Sequence, residues 1–242
     1  MARELRLLFQ GRRSALVLKT LIFGFFLALV WVGGFSLTLS IFFIIAATAV
    51  YGSPSLNNFK YLASFLVILF SALFLSSRAA QGWASFLVFA AFILLFYLIL
   101  GLKNLFLVYR EKWHYLLVFC LIYALLLIFF LADKSSFFIF KIAALFLAIF
   151  FLAKEFFRNS SPFSTVFAWI TAFLAIELIW AISFLPIGFL SSANLSLISI
   201  FLIIDTLRRH IQGTLSRYAI LVNLTIFVFL TILVLAGSSW SI

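Results

Sequence analysis

FSTVFAWITAFLAIELIWAISFL, residues 163–185, holds a single charged residue, Glu177, in a run that is otherwise apolar, aromatic or hydroxyl-bearing. A bilayer core is crossed by roughly 20 mainly apolar residues in a helix. Lipid favours a helix because it offers no hydrogen-bond partner to an exposed backbone N–H or C=O group. The stretch therefore predicts a membrane-spanning helix.

Comparable apolar runs recur along the whole chain. They occupy 16–33, 35–51, 60–77, 83–101, 114–132, 136–153, 189–206 and 218–236. The chain is 67% hydrophobic and 10% charged, whereas soluble domains are roughly half apolar and a quarter charged. We predict an all-α, polytopic integral membrane protein of about nine transmembrane helices. Residues 1–15 are expected to form a cytoplasmic or interfacial segment, and 16–242 a single transmembrane helical domain.

The Gly33–Gly34 pair is the least defined boundary between runs, since it could be a turn between two spans or a break in one long helix. A turn, with the N-terminus in the cytoplasm, places 14 of the 17 Lys and Arg residues inside and only Arg78 and Lys134 outside. The remaining residue, Lys141, lies within a span and is not counted. One helix over 16–51 would divide the same 16 charges five against eleven. The positive-inside rule favours the turn and places the C-terminus outside. We expect a multi-pass protein of the cell membrane, with the bacterial inner membrane as its location.

Glu177 is the residue least suited to this environment. No other charged residue occurs between Arg158 and Asp205, so the carboxyl group is expected near the bilayer midplane. An ionised carboxylate there costs about 2.5–3.5 kcal/mol, and we therefore expect a neutral, hydrogen-bonded carboxyl group. On a helix, Glu177 shares a face with Trp169, Phe173 and Trp180. We expect this face to be turned toward the helix bundle.

Two interpretations of Glu177 stay open at the level of sequence. In the structural interpretation, the carboxyl group hydrogen-bonds a polar side chain of another span, with Asn223 or Thr225 of the last run as candidates. In the functional interpretation, Glu177 binds a proton, a cation or a polar substrate group beneath the aromatic rings, as intramembrane acids often do.

The remaining polar signals have simpler interpretations. Lys141 lies near the start of the sixth run, and we expect its ammonium group to snorkel outward; pairing with Glu177 is the alternative. Asp205 precedes Arg208 by three residues and Arg209 by four, spacings that predict an ion pair on one helix face. Pro186 predicts a helix end and turn, with a broken helix lining a cavity as the alternative.

The composition also limits the function. The net charge is +11, but the basic residues are scattered between apolar runs, which argues against nucleic-acid binding. One Cys and two His without ligand spacing predict no metal or cofactor, and we expect no catalytic residues. The expected partners are the lipid bilayer and a bound lipid or a membrane protein. Two functions fit: transport or binding of a small apolar or lipid-like solute with Glu177 at a midplane site, or a non-catalytic structural or assembly subunit of a membrane complex.

Overall fold

The computed structural model describes residues 2–53, 61–78, 83–104, 109–132, 138–158 and 161–238, and every regular element in these ranges is an α-helix. The helices are α1 (Ala2–Val32), α2 (Leu37–Gly52), α3 (Leu62–Arg78), α4 (Trp83–Lys103), α5 (Arg110–Leu131), α6 (Phe138–Phe157), α7 (Ser164–Ser183), α8 (Phe189–Ile211) and α9 (Arg217–Ala236). For these residues, the prediction of an all-α chain is confirmed.

Six of these helices are long and apolar enough to cross a membrane: α1 from Ser14 onward, α4, α5, α7, α8 and α9. The apolar helices α2 and α3 are shorter, with 16 and 17 residues. Helix α6 has 20 residues but includes Lys141, Lys154 and Glu155. Because so many helices are apolar over a bilayer's thickness, the chain is a multi-pass membrane protein by length and composition.

A tight turn separates α1 from α2, as predicted. Gly34 and Phe35 adopt positive φ angles of 67° and 58°, and the Phe35 N–H donates to the Val30 carbonyl oxygen at 3.0 Å. The Ser36 hydroxyl then caps α2 by accepting from the Leu39 N–H. A left-handed conformation costs little at glycine, so Gly34 suits this reversal. Residues 16–51 therefore form a helical hairpin, and α1 extends back to Ala2 without a break.

The contacts divide the chain into two compact units, Met1–Leu117 and Val118–Ile242, with the boundary inside α5. In the first unit, α1 packs against α2 and α4, and α3 packs against α4. Its centre is aromatic. The Phe23 ring stacks on the Phe96 ring with centroids 4.0 Å apart, and the Phe43 ring lies 5.2 Å from Phe23.

In the second unit, α6 packs on α7, α7 on α8, and α8 on α9. The buried face of α7 consists largely of small side chains: Ala168, Thr171, Ala172 and Ala175 are fully buried. Small residues allow helix backbones to approach closely in lipid, where dispersion contacts replace the hydrophobic effect as the main source of stability. This close packing fixes which side of α7 remains uncovered.

The connection between α7 and α8 is a turn rather than a break inside one helix. Helix α7 ends at Ser183, and α8 begins at Phe189. Pro186 lies in the connection, where its missing N–H is not needed for a helical hydrogen bond. The helix end predicted at Pro186 is confirmed.

Candidate functional site

The Glu177 side chain is exposed on α7. Its aromatic neighbours on the same face are exposed as well, with Trp169 at 53%, Phe173 at 57% and Trp180 at 52% of their surface. The prediction that this face turns toward the bundle is wrong. Every side of α7 is apolar, so hydrophobicity does not select the buried face, and the small side chains pack against the neighbouring helices instead.

The sequence of α7 contains a pattern of small residues that indicates which of its faces is buried. Ala168, Thr171, Ala172 and Ala175 recur three or four residues apart and so form one stripe along the helix. In a membrane protein, such a stripe is a stronger indicator of helix contact than an aromatic stripe. Glu177 lies on the opposite side of the helix from this stripe, so the stripe predicts an exposed Glu177.

The two side chains expected to hydrogen-bond Glu177 have other partners. Asn223 donates from Nδ2 to Asp205 Oδ2 at 2.7 Å. The Thr225 hydroxyl donates to the Leu221 carbonyl oxygen of its own helix at 2.9 Å. The predicted hydrogen bonds are therefore wrong, and with the described residues, Lys141 included, Glu177 forms no hydrogen bond or ion pair.

Asp205 has the hydrogen bond to a polar side chain of another helix that was expected for Glu177. Its Oδ2 atom accepts from Arg209 Nε at 2.6 Å and from Asn223 Nδ2 at 2.7 Å. The ion pair predicted from the four-residue spacing is confirmed. The Asn223 bond, which joins α8 to α9, was not predicted. Hydrogen bonds between a guanidinium and a carboxyl oxygen are stronger than neutral ones.

Aromatic contacts hold the rings on either side of Glu177. The Trp169 ring lies 5.3 Å from Phe146 and 5.1 Å from Phe150, both on α6. Near the other end of α7, Trp180 meets Phe184 edge to face at 5.1 Å. Such pairs restrict the rings, so the exposed face presents one carboxyl group between ordered aromatic groups.

A separate apolar groove lies in the first unit. It encloses about 130 Å³ and is lined by Ala28, Trp31, Ser76, Ser85, Phe86 and Phe89. The Ser76 hydroxyl oxygen is buried and has no hydrogen-bond partner among the described residues. Glu177 takes no part in this groove.

Groups of three or more His, Cys, Asp or Glu side chains that could hold a metal ion do not occur within the described ranges. Comparison of the chain with protein-family models, with curated proteins and with solved structures finds no match.

Proposed function

We propose that this chain is a non-catalytic assembly subunit of a membrane complex, and that the exposed face of α7 binds a transmembrane helix of another protein. The exposed carboxyl group of Glu177 is the observation that carries the proposal. A charged carboxylate facing lipid costs about 2.5–3.5 kcal/mol. A partner helix that offers a hydrogen-bond donor offsets this cost, and lipid tails do not.

The position of Glu177 along α7 supports contact within the membrane. Glu177 lies about 9 Å from the C-terminal end of the helix and about 20 Å from its N-terminal end, at about 1.5 Å rise per residue. Both distances exceed the reach of a short glutamate side chain. The carboxyl group therefore stays within the apolar part of the helix.

The aromatic side chains favour a different protein over a second copy of this chain. Trp169, Phe173 and Trp180 project from the same face as Glu177. Two such faces placed together would hold the helices apart, so that two glutamate side chains could not meet. A partner helix with small residues and one polar group fits closely against this surface.

A photoreactive amino acid at Phe173 tests the proposal in intact membranes. We expect a discrete crosslinked protein that persists with Glu177→Gln, because the amide retains hydrogen bonding, and disappears with Glu177→Leu. The same group at Phe229, an exposed residue of α9, is the matched control and should give no such species.

Two results would contradict the proposal. Crosslinking to a second copy, seen as a doubled mass, would show that the face is a homodimer contact. Crosslinks to lipid alone, unchanged by Glu177→Leu, would show that the face is simply covered by the bilayer.

The number of spans and the sides of the two termini form a separate proposal. We propose nine spans, an N-terminus in the cytoplasm and a C-terminus outside, supported by the 14-to-two distribution of basic residues. In a Cys120→Ala background, single cysteines at Asn57 and Arg158 should be shielded from an impermeant thiol reagent in intact cells. A cysteine at Ser239 should react. Labelling at Asn57 with shielding at Ser239 would contradict the model.

A second function is supported by the groove of the first unit. The buried Ser76 hydroxyl without a partner in the described chain could orient the polar end of an apolar or lipid-like solute among Trp31 and Phe89. Ala28→Phe would fill the groove. Mass spectrometry should then detect a co-purifying solute with the unchanged chain and lose it with this variant, whereas equal recovery would exclude the groove.

A further inference from the structure

Two lysines meet at the C-terminal end of α2. Lys19 donates from Nζ to the Ser53 carbonyl oxygen at 2.7 Å. Lys103, at the end of α4, donates from Nζ to the Tyr51 carbonyl oxygen and lies 4.2 Å from the centroid of the Tyr51 ring. The last carbonyl groups of a helix lack intrahelical partners and carry a partial negative charge. Both ammonium groups therefore cap α2.

The negative charge at this site is smaller than the positive charge. A helix C-terminus supplies about half an elementary negative charge, against two full positive charges. Residues 5–110 contain no Asp or Glu at all, and the carboxylate that follows, Glu111, is exposed. Lys103 is only 8% exposed, and buried charges in proteins are normally paired. Within the described ranges, neither lysine forms an ion pair.

Arg110 is a third cation at the C-terminal end of α4. Its Nη2 atom donates to the carbonyl oxygen of Leu102, the residue before Lys103, at 3.1 Å, and lies 3.5 Å from the Tyr61 hydroxyl oxygen. Its Nε atom is buried and has no hydrogen-bond partner among the described residues. A guanidinium group has five N–H donors and an ammonium group three, so each of the three side chains keeps donors that no described residue accepts from.

We infer that Lys19, Lys103 and Arg110 form a binding site for one phosphate group. Phosphate oxygens accept several charge-assisted hydrogen bonds at once, so a phosphate group suits two lysines at the end of α2 and an arginine at the end of α4 better than a single carboxylate does. The site lies where α2 and α4 end and α5 begins, the level at which lipid headgroups meet helices. Basic pockets between transmembrane helices bind anionic headgroups in this way. The phosphate group belongs to an anionic phospholipid or to a soluble phosphate compound.

Thermal unfolding of the purified full chain in neutral detergent tests this site. We expect phosphatidylglycerol to raise the melting temperature, and phosphatidylcholine, whose headgroup has no net charge, to raise it less. Lys19→Gln should weaken the phosphatidylglycerol affinity about fivefold, from about 1 kcal/mol per basic residue. Lys19→Arg should retain it. Lys112→Gln is the matched control, because Lys112 is an exposed cation of the same unit.

A titration with inorganic phosphate distinguishes a lipid headgroup from a soluble phosphate compound. Stabilisation by phosphatidylglycerol alone identifies a lipid headgroup site, and stabilisation by inorganic phosphate as well, lost in Lys19→Gln, identifies a site for phosphate itself. Lys103→Gln removes a helix cap and can prevent folding, so Lys103→Arg replaces it in this series. The inference is overturned if neither ligand stabilises the chain, or if Lys112→Gln weakens binding as much as Lys19→Gln.

Discussion

Asp205 and Glu177 are two carboxyl groups of the same unit with opposite surroundings. Asp205 accepts hydrogen bonds from Arg209 and Asn223, and its side chain is 16% exposed. Glu177 faces outward from α7 and bonds to none of the described residues. An acid in an apolar helix thus joins two helices of the chain at one position and remains exposed at the other.

The difference shows how a polar group in lipid acquires a role. Asp205 joins α8 to α9 and has its charge compensated on its own helix, so its contribution is to stability. Glu177 contributes nothing to the described packing and adds a cost of insertion. The partner helix proposed above would offset this cost by donating a hydrogen bond to Glu177.

Asp205→Ala should have the largest effect. It removes both charge-assisted hydrogen bonds and leaves Asn223 unpaired between α8 and α9, so the free energy of unfolding should fall by about 3 kcal/mol. Titration with SDS in mixed micelles, followed by far-ultraviolet circular dichroism, measures this. Asp205→Asn should lose roughly half as much, because its amide oxygen still accepts. An unchanged Asp205→Ala variant would remove the contrast with Glu177.

Asn223→Ala should rank second. The substitution removes the side-chain hydrogen bond that joins Asn223 of α9 to Asp205 of α8, and a bond to a charged group contributes about 1.5–3 kcal/mol. The same SDS titration applies. Thr225→Val is the control, since the Thr225 hydroxyl bonds only within α9 and its loss should cost little.

Arg209→Gln should cost less than either. The Arg209 side chain is 40% exposed and pairs with Asp205 four residues earlier on one helix, and such pairs contribute about 0.3–0.5 kcal/mol. A loss as large as that of Asn223→Ala would show that the ion pair, and not the bond between helices, holds Asp205.

Glu177→Gln should have the smallest effect on the isolated chain. With no described partner to lose, the free energy of unfolding in detergent should change by less than about 0.5 kcal/mol. A loss of about 1 kcal/mol or more would indicate a hydrogen bond within the chain, and the contrast between the two acids would fail.

The sequence predicted the helices well because lipid imposes them locally. Apolar runs, the Gly33–Gly34 turn and the Asp205–Arg209 spacing each depend on residues close together in the chain. The orientation of α7 was not predicted, since Trp169 and the small-residue face are both apolar and only packing distinguishes them. The bond from Asn223 to Asp205 joins two helices, and no local pattern specifies it.

The basic cluster of the first unit was missed for a different reason. Lys19 and Lys103 lie near the ends of apolar runs, where lysines ordinarily snorkel into water. The signal against that interpretation is the absence of Asp and Glu from residues 5–110, which leaves no carboxylate there for a lysine that becomes buried. Burial of Lys103 depends on how α2 and α4 meet, which the sequence does not specify.

The bond between Asp205 and Arg209 also bears on the order of synthesis. Both residues belong to α8, which leaves the ribosome before α9, and chains emerge from the N-terminal end. Asp205 can therefore enter the membrane with its counter-ion already in place on the same helix. Asn223 is synthesised later, and its hydrogen bond to Asp205 then joins α9 to α8. The ion pair, whose expected effect on the stability of the folded protein is small, would thus compensate the Asp205 carboxylate before α9 is in place.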